Sequence, residues 1–150
     1  MQLISENNET GIGKSANRFE RMRDVVAIGI DFVEVAEAHV LLFGRVKQFV
    51  HGEMPEARNL VELEQGCELE RWLKGIGASR FGHLRSFSRL FEAHADFHLQ
   101  ATGVLEKIHT GSWVAAEQMR KSELARALRW VLISLTELND SISKQAQRIN

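Results

Sequence analysis

The sequence predicts an all-α protein built like a four-helix bundle, with three long helices and one short helix. Apolar residues recur every three or four positions over long stretches, and no stretch alternates as a strand would. Helix-breaking residues, including the single proline, stand between these stretches. With 150 residues, 44% of them hydrophobic, the chain is large enough for one domain with a core.

The first segment is predicted to be a flexible tail over residues 1–16, because it is polar and contains Gly11 and Gly13. The helical domain is predicted over residues 17–147. Its first helix is predicted from Ala16 to His51 and carries two apolar rows, one through Val33 and Val40 and another through Val35, His39, Leu42 and Val46. A helix that is apolar on two sides has two surfaces to bury, so one row is expected to face the bundle and the other a second subunit.

Glycine and proline residues indicate where the remaining helices begin and end. Gly52 and Pro55 end the first helix, and Gly75 and Gly77 close a short helix that begins at Cys67. A third helix is predicted from His83 to His109, with one apolar face. The last helix is predicted after Gly111, from Ser112 to Ala146. The positions expected to form the apolar face of the third helix are Leu84, Phe87, Phe91, His94, His98 and Ala101 or Thr102.

Charge and cysteine content exclude several classes of protein. The net charge of −1 gives no strong attraction to nucleic acid or to an anionic membrane. The most apolar stretch, residues 25–43, contains Asp31, Glu34, Glu37 and His39, which argues against a membrane span. The N-terminus lacks the pattern of a signal peptide, and the single cysteine excludes an intramolecular disulfide. We therefore expect a cytoplasmic protein.

Four residues are candidate metal ligands. His94 and His98 are four residues apart in a predicted helix, so their rings point the same way and can hold one ion, although two core histidines would show the same spacing. His39 lies in the apolar first helix. Cys67 begins the short helix, where free backbone N–H groups favour a thiolate; its alternative role is that of a small buried side chain.

Three imidazoles and one thiolate from three segments would make a closed tetrahedral site, which suits zinc (Zn2+) better than copper or iron. His83 and His109 each lie eleven residues from the His94–His98 pair, about 16 Å along the helix and too far to share one ion. We expect them to be solvated residues at the helix ends. His51 is expected to assist the C-terminal cap of the first helix.

The order of three motifs resembles the chemoreceptor zinc-binding (CZB) domain family. The motifs are AEAHVLLF in the first helix, CELERWLKGIG in the short helix and HADFH in the third. The resemblance covers residues 33–142 and implies the same ligands, His39, Cys67, His94 and His98. The sequence departs from the family pattern at Glu70, where the family has glycine, and at Phe43, where it often has tryptophan. Glu70 could accept a hydrogen bond from a ligand imidazole.

The resemblance implies a regulatory role in bacterial signalling. Family members are dimeric and are usually joined to a chemoreceptor signalling domain or a diguanylate cyclase. This chain has no such output module, so we expect a stand-alone version or an excised domain, a homodimer that senses zinc or an oxidant such as hypochlorous acid through Cys67. We expect no enzyme activity. The alternatives are a metal-independent helical dimerisation module, a catalytic zinc site and a di-iron bundle.

Overall fold

The computed structural model describes residues 25, 27–53 and 67–149, which are predominantly helical and contain no strand. The predicted all-α class is confirmed for this part of the chain. The chain divides into two units, Met1–Asp31 and Phe32–Asn150. The predicted tail, residues 1–16, lies outside the described residues. Within the described ranges, no helix is both long enough and apolar enough to cross a membrane.

The predicted first helix is not continuous, and the prediction of one helix from Ala16 to His51 was wrong. Val25, Ala27 and Ile28 are helical, but residues 29–31 are not, and a new helix begins at Phe32. Gly29 has a φ of +86°, in the left-handed region that glycine adopts without a steric penalty. The apolar period runs through Gly29 unchanged, so periodicity alone did not reveal this break.

The second unit contains the helices that matter for the site. The prediction of a single last helix was wrong in detail, because a π-helical turn interrupts that helix. The six residues after Gly75 form a further short helix, where the sequence predicted only the end of the helix that begins at Cys67. In chain order the elements are α1 (Phe32–Val50), α2 (Glu68–Lys74), α3 (Ile76–Phe81), α4 (Arg85–His109), α5 (Trp113–Met119), the π-helical turn (Arg120–Leu124) and α6 (Ala125–Ile149).

The core lies between the three long helices. Helix α4 contacts α6, α5 and α1, and α1 also contacts α6. The buried side of α1 is the row that contains Val35, His39, Leu42 and Val46, whereas Val33 and Val40 of the other row are exposed. The predicted apolar face of α4 was wrong by one position: Phe91 is exposed and Leu90 is buried. The buried residues of α4 are Phe87, Leu90, His94, Phe97, Ala101, Val104, Leu105 and Ile108.

An aromatic cluster anchors α2. The ring centroid of Trp72 lies 5.5 Å from that of Phe32 in α1 and 6.0 Å from those of Phe81 and Phe87. The absence of a side chain at Gly77 allows the Trp72 ring to pack against α3, because a Cβ at this position would lie 2.6 Å from that ring. The cluster therefore holds α2, and Cys67 before it, next to α1 and α4.

We expect Gly77→Ala to destabilise the protein by about 1–3 kcal/mol, because the added methyl group overpacks the Trp72 cluster. Gly44→Ala is the matched control. Among the residues that the structure describes, its Cβ would meet no atom within 4 Å outside the backbone of α1, so the greater helix propensity of alanine should stabilise the protein by about 0.5–1 kcal/mol. Urea denaturation of both variants measures the two free energies of unfolding, and equal effects of the same sign would contradict this account of α2.

Candidate metal centre

The four predicted ligand residues come together in the structure. His39 lies in the middle of α1, His94 and His98 lie one turn apart in α4, and Cys67 immediately precedes α2. One ligand atom from each residue lies within 4.8 Å of all the others. Three separate helical segments therefore direct three imidazoles and one thiol to a common point.

The distances within the cluster are those of side chains in direct contact. The Cys67 Sγ lies 3.2 Å from the His94 Nε2 and 3.8 Å from the His39 Nε2. The ring centroids of His94 and His98 are 4.4 Å apart, and that of His39 lies 5.3 Å from His94 and 5.7 Å from His98. The rings meet edge to face, which allows their nitrogen atoms to converge without stacking.

His39 is held in one orientation by the helix that carries it. Its Nδ1 donates a hydrogen bond of 2.8 Å to the carbonyl oxygen of Val35, one turn earlier in α1. In the neutral ring this bond leaves the lone pair on Nε2, the atom that faces Cys67. The fully buried ring of Phe97 packs against His39 with a centroid distance of 5.4 Å and forms a wall of the site.

The cluster favours the protonation states that a metal ion needs. Burial of the Cys67 thiol works to raise its pKa, but hydrogen bonds with the three imidazoles outweigh burial and lower the pKa to about 3. Burial also lowers the pKa of His94, although its contact with Cys67 opposes this effect. Metal binding needs a deprotonated thiol and neutral imidazoles, and the shifts at Cys67 and His94 both favour these forms.

Two clefts reach the cluster from different sides. The Cys67 cleft has a volume of about 270 Å³ and is lined by Cys67, Glu68 and His39 together with apolar and charged residues of α1. The Glu70 cleft, of about 450 Å³, lies between α2 and α4 and is lined by Glu70, Lys74 and His94 among others. His98 lines both clefts. Solvent and small solutes can therefore approach the ligands from two directions.

The other histidines lie outside the cluster. His83 and His109 are exposed at the ends of α4, as predicted. The Nε2 atom of His51 lies 3.2 Å from a carboxylate oxygen of Glu117 in α5, so its side chain contacts another helix. The predicted role of His51 in capping the first helix stays a prediction. Glu70 accepts a hydrogen bond of 2.9 Å from Lys74, and the predicted bond to an imidazole is not seen.

A second polar group was not predicted from the sequence. Arg120 is buried, with 6% of its surface exposed, and donates hydrogen bonds of 2.8 and 2.6 Å to the two carboxylate oxygens of Glu117. Its guanidinium also lies over the Phe43 ring of α1, 5.8 Å from the centroid. The only local signal was a Glu and an Arg three residues apart, a spacing common on exposed helices. This group joins α5 and the π-helical turn to the end of α1.

Comparisons of the chain with protein-family models, with curated proteins and with solved structures gave no match. The resemblance to the CZB domain family therefore stays a prediction that depends on the three motifs. The cluster itself has the donors to bind a metal ion.

Proposed function

We propose that the chain is a zinc-binding regulatory module of bacterial signalling, in chemotaxis or in cyclic-di-GMP control. One observation carries the proposal: His39, Cys67, His94 and His98, distant in sequence, present ligand atoms within 4.8 Å of one another. The order of the three motifs supports the signalling role through its resemblance to the CZB family.

The donor set supports zinc as the metal. Three imidazole nitrogens and one thiolate suit a tetrahedral zinc site with no open position. When bound, the ion would link α1, α4 and the segment that carries Cys67, and so favour one arrangement of these helices. A site with four protein ligands leaves no position for a reacting water molecule, which supports a regulatory role over a catalytic one.

Cys67 is the ligand proposed to respond to an oxidant. Its thiolate lines an open cleft, and thiolate character and access both favour oxidation. With hypochlorous acid, the sulfur loses two electrons, the chlorine gains them, and the net products are the Cys67 sulfenic acid and chloride. A sulfenic acid is a weaker ligand than a thiolate, so oxidation of Cys67 would weaken zinc binding. Free zinc concentration is the second signal that the same site could report.

We further propose a cytoplasmic homodimer that acts on a chemoreceptor or diguanylate cyclase. The second apolar row of α1 supports the dimer, because Val33 and Val40 are each 48% exposed in the single chain. The mass of the protein in solution measures the oligomeric state directly.

Zinc titration of the Cys67→Ser variant tests the proposed site. We expect the zinc affinity to fall by more than about 100-fold, because a serine hydroxyl replaces the thiolate. This loss exceeds the roughly 10–100-fold loss that is typical when a residue next to a metal ligand is changed. Ser79→Ala, at an exposed serine in α3, is the control and should bind zinc as the unmodified chain does. An unchanged affinity of Cys67→Ser would contradict the assignment.

A further inference from the structure

The Glu70 carboxylate is an acidic group beside the cluster that the proposed ligand set does not use. Glu70 lines the Glu70 cleft together with His94 and His98, two of the four ligands. It belongs to the same short segment as Cys67, since Cys67 is the N-cap residue of α2 and Glu70 the third residue of that helix. A glutamate three residues after an N-cap can reach back towards the N-cap residue.

Little holds Glu70 in its present position. Its hydrogen bond of 2.9 Å goes to Lys74, and the side chains of Glu70 and Lys74 are 46% and 64% exposed. An exposed ion pair between residues four apart on a helix contributes little to stability. The carboxylate can therefore leave Lys74 at low cost, and the open cleft gives it space to move towards the imidazoles.

We propose that Glu70 is a reserve ligand, which takes the place of Cys67 at the metal when Cys67 is not available as a thiolate. This inference rests on the proposed zinc site and adds a property to it. Carboxylate oxygen is an accepted zinc ligand, and exchange of Cys67 for Glu70 keeps three imidazoles and one anion in the ligand set. Loss of the thiolate then weakens the site in a graded way, and the ion stays bound until Glu70 is also lost.

Zinc affinities of the intact chain, measured by competition with a chromophoric chelator, test the proposal in four variants. Glu70→Gln alone should change the affinity by less than about 3-fold, because Cys67 holds the fourth position. In the Cys67→Ala background, Glu70→Gln should lower the zinc affinity by a further factor of about 10 or more. This is at least the loss of affinity seen when a group that supports a metal ligand is removed. Glu92→Gln in that background is the control, because Glu92 is an exposed glutamate of α4 that lines neither cleft.

Cobalt absorption spectra give a second measurement on the same variants. In the Cys67→Ala background, Glu70→Gln should change the visible cobalt bands, whereas Glu92→Gln should leave them unaltered. In the Cys67→Ala background, equal zinc affinities with and without Glu70, or equal effects of Glu92→Gln and Glu70→Gln, would overturn the proposal. If Cys67→Ala itself binds zinc as well as the unmodified chain, the zinc site with Cys67 fails and not only the role of Glu70. Far-ultraviolet circular dichroism confirms that each variant is folded.

Discussion

Zinc at about 1,000 times its dissociation constant is expected to stabilise the protein by about 4 kcal/mol, because the ion binds a site that only the folded chain assembles. For a chain of 150 residues this corresponds to a rise in Tm of about 8–16 °C. The physical reason is that His39, His94 and Cys67 come from α1, α4 and the start of α2, which unfolding separates. Thermal unfolding in the presence of zinc and of a chelator measures the shift.

Two histidine variants, one at the site and one outside it, distinguish zinc binding at the cluster from nonspecific effects of zinc on stability. His94→Ala should abolish the rise in Tm, because this imidazole is buried 3.2 Å from the Cys67 Sγ. His83→Ala should keep the rise, because His83 is exposed outside the cluster. If the unmodified chain shows no shift with zinc, the metal-independent helical module becomes the better interpretation.

Glu117→Gln is expected to destabilise the protein by about 2 kcal/mol, because it leaves the buried Arg120 guanidinium without its anionic partner. The matched control is Glu137→Gln, which breaks an exposed pair with Arg89 and should cost less than about 1 kcal/mol. Chemical denaturation with a chelator present measures both values without a contribution from metal. A cost for Glu117→Gln no larger than that for Glu137→Gln would contradict a structural role of the Arg120 group.

The same carboxylate sets a pH dependence. Hydrogen bonds from Arg120, assisted by His51, lower the pKa of Glu117 from 4.5 to about 2 in the folded chain. A carboxylate whose pKa is lower in the folded state stabilises the protein above its unfolded pKa and loses this effect as the pH falls through the folded pKa. The difference in stability between the unmodified chain and Glu117→Gln should therefore be full above about pH 4.5 and should shrink towards pH 2.

Most helices were predictable because their apolar residues follow the helical period closely. The third predicted helix, His83–His109, differs from α4 by two residues at its start, and the short helix at Cys67 ends at Lys74 as expected. The break at Gly29 was not predictable from this pattern, because the apolar rows pass through it. The π-helical turn is likewise hidden, since one local change in hydrogen bonding leaves the apolar spacing on both sides intact.

The candidate ligands were predictable because histidine is rare on apolar helix faces and the chain has one cysteine. Spacing alone established that His94 and His98 share a side of α4, as residues four apart in any helix do. Their neighbours could not be predicted in this way. Helix period does not reveal that Arg120 is buried beside Phe43, because that contact joins helices far apart in sequence.

The sequence by itself determined the helical class, the apolar side of α4 to within one position, and the four residues with metal-binding chemistry. These properties are local, since each depends on residue type and on spacing within one helix. Only the tertiary structure decided that four ligand atoms meet within 4.8 Å, that the imidazoles lower the pKa of Cys67, and that Glu70 shares a cleft with two of the histidines. These properties depend on how separate helices pack, and packing is set by contacts such as those of Trp72 that no single segment contains.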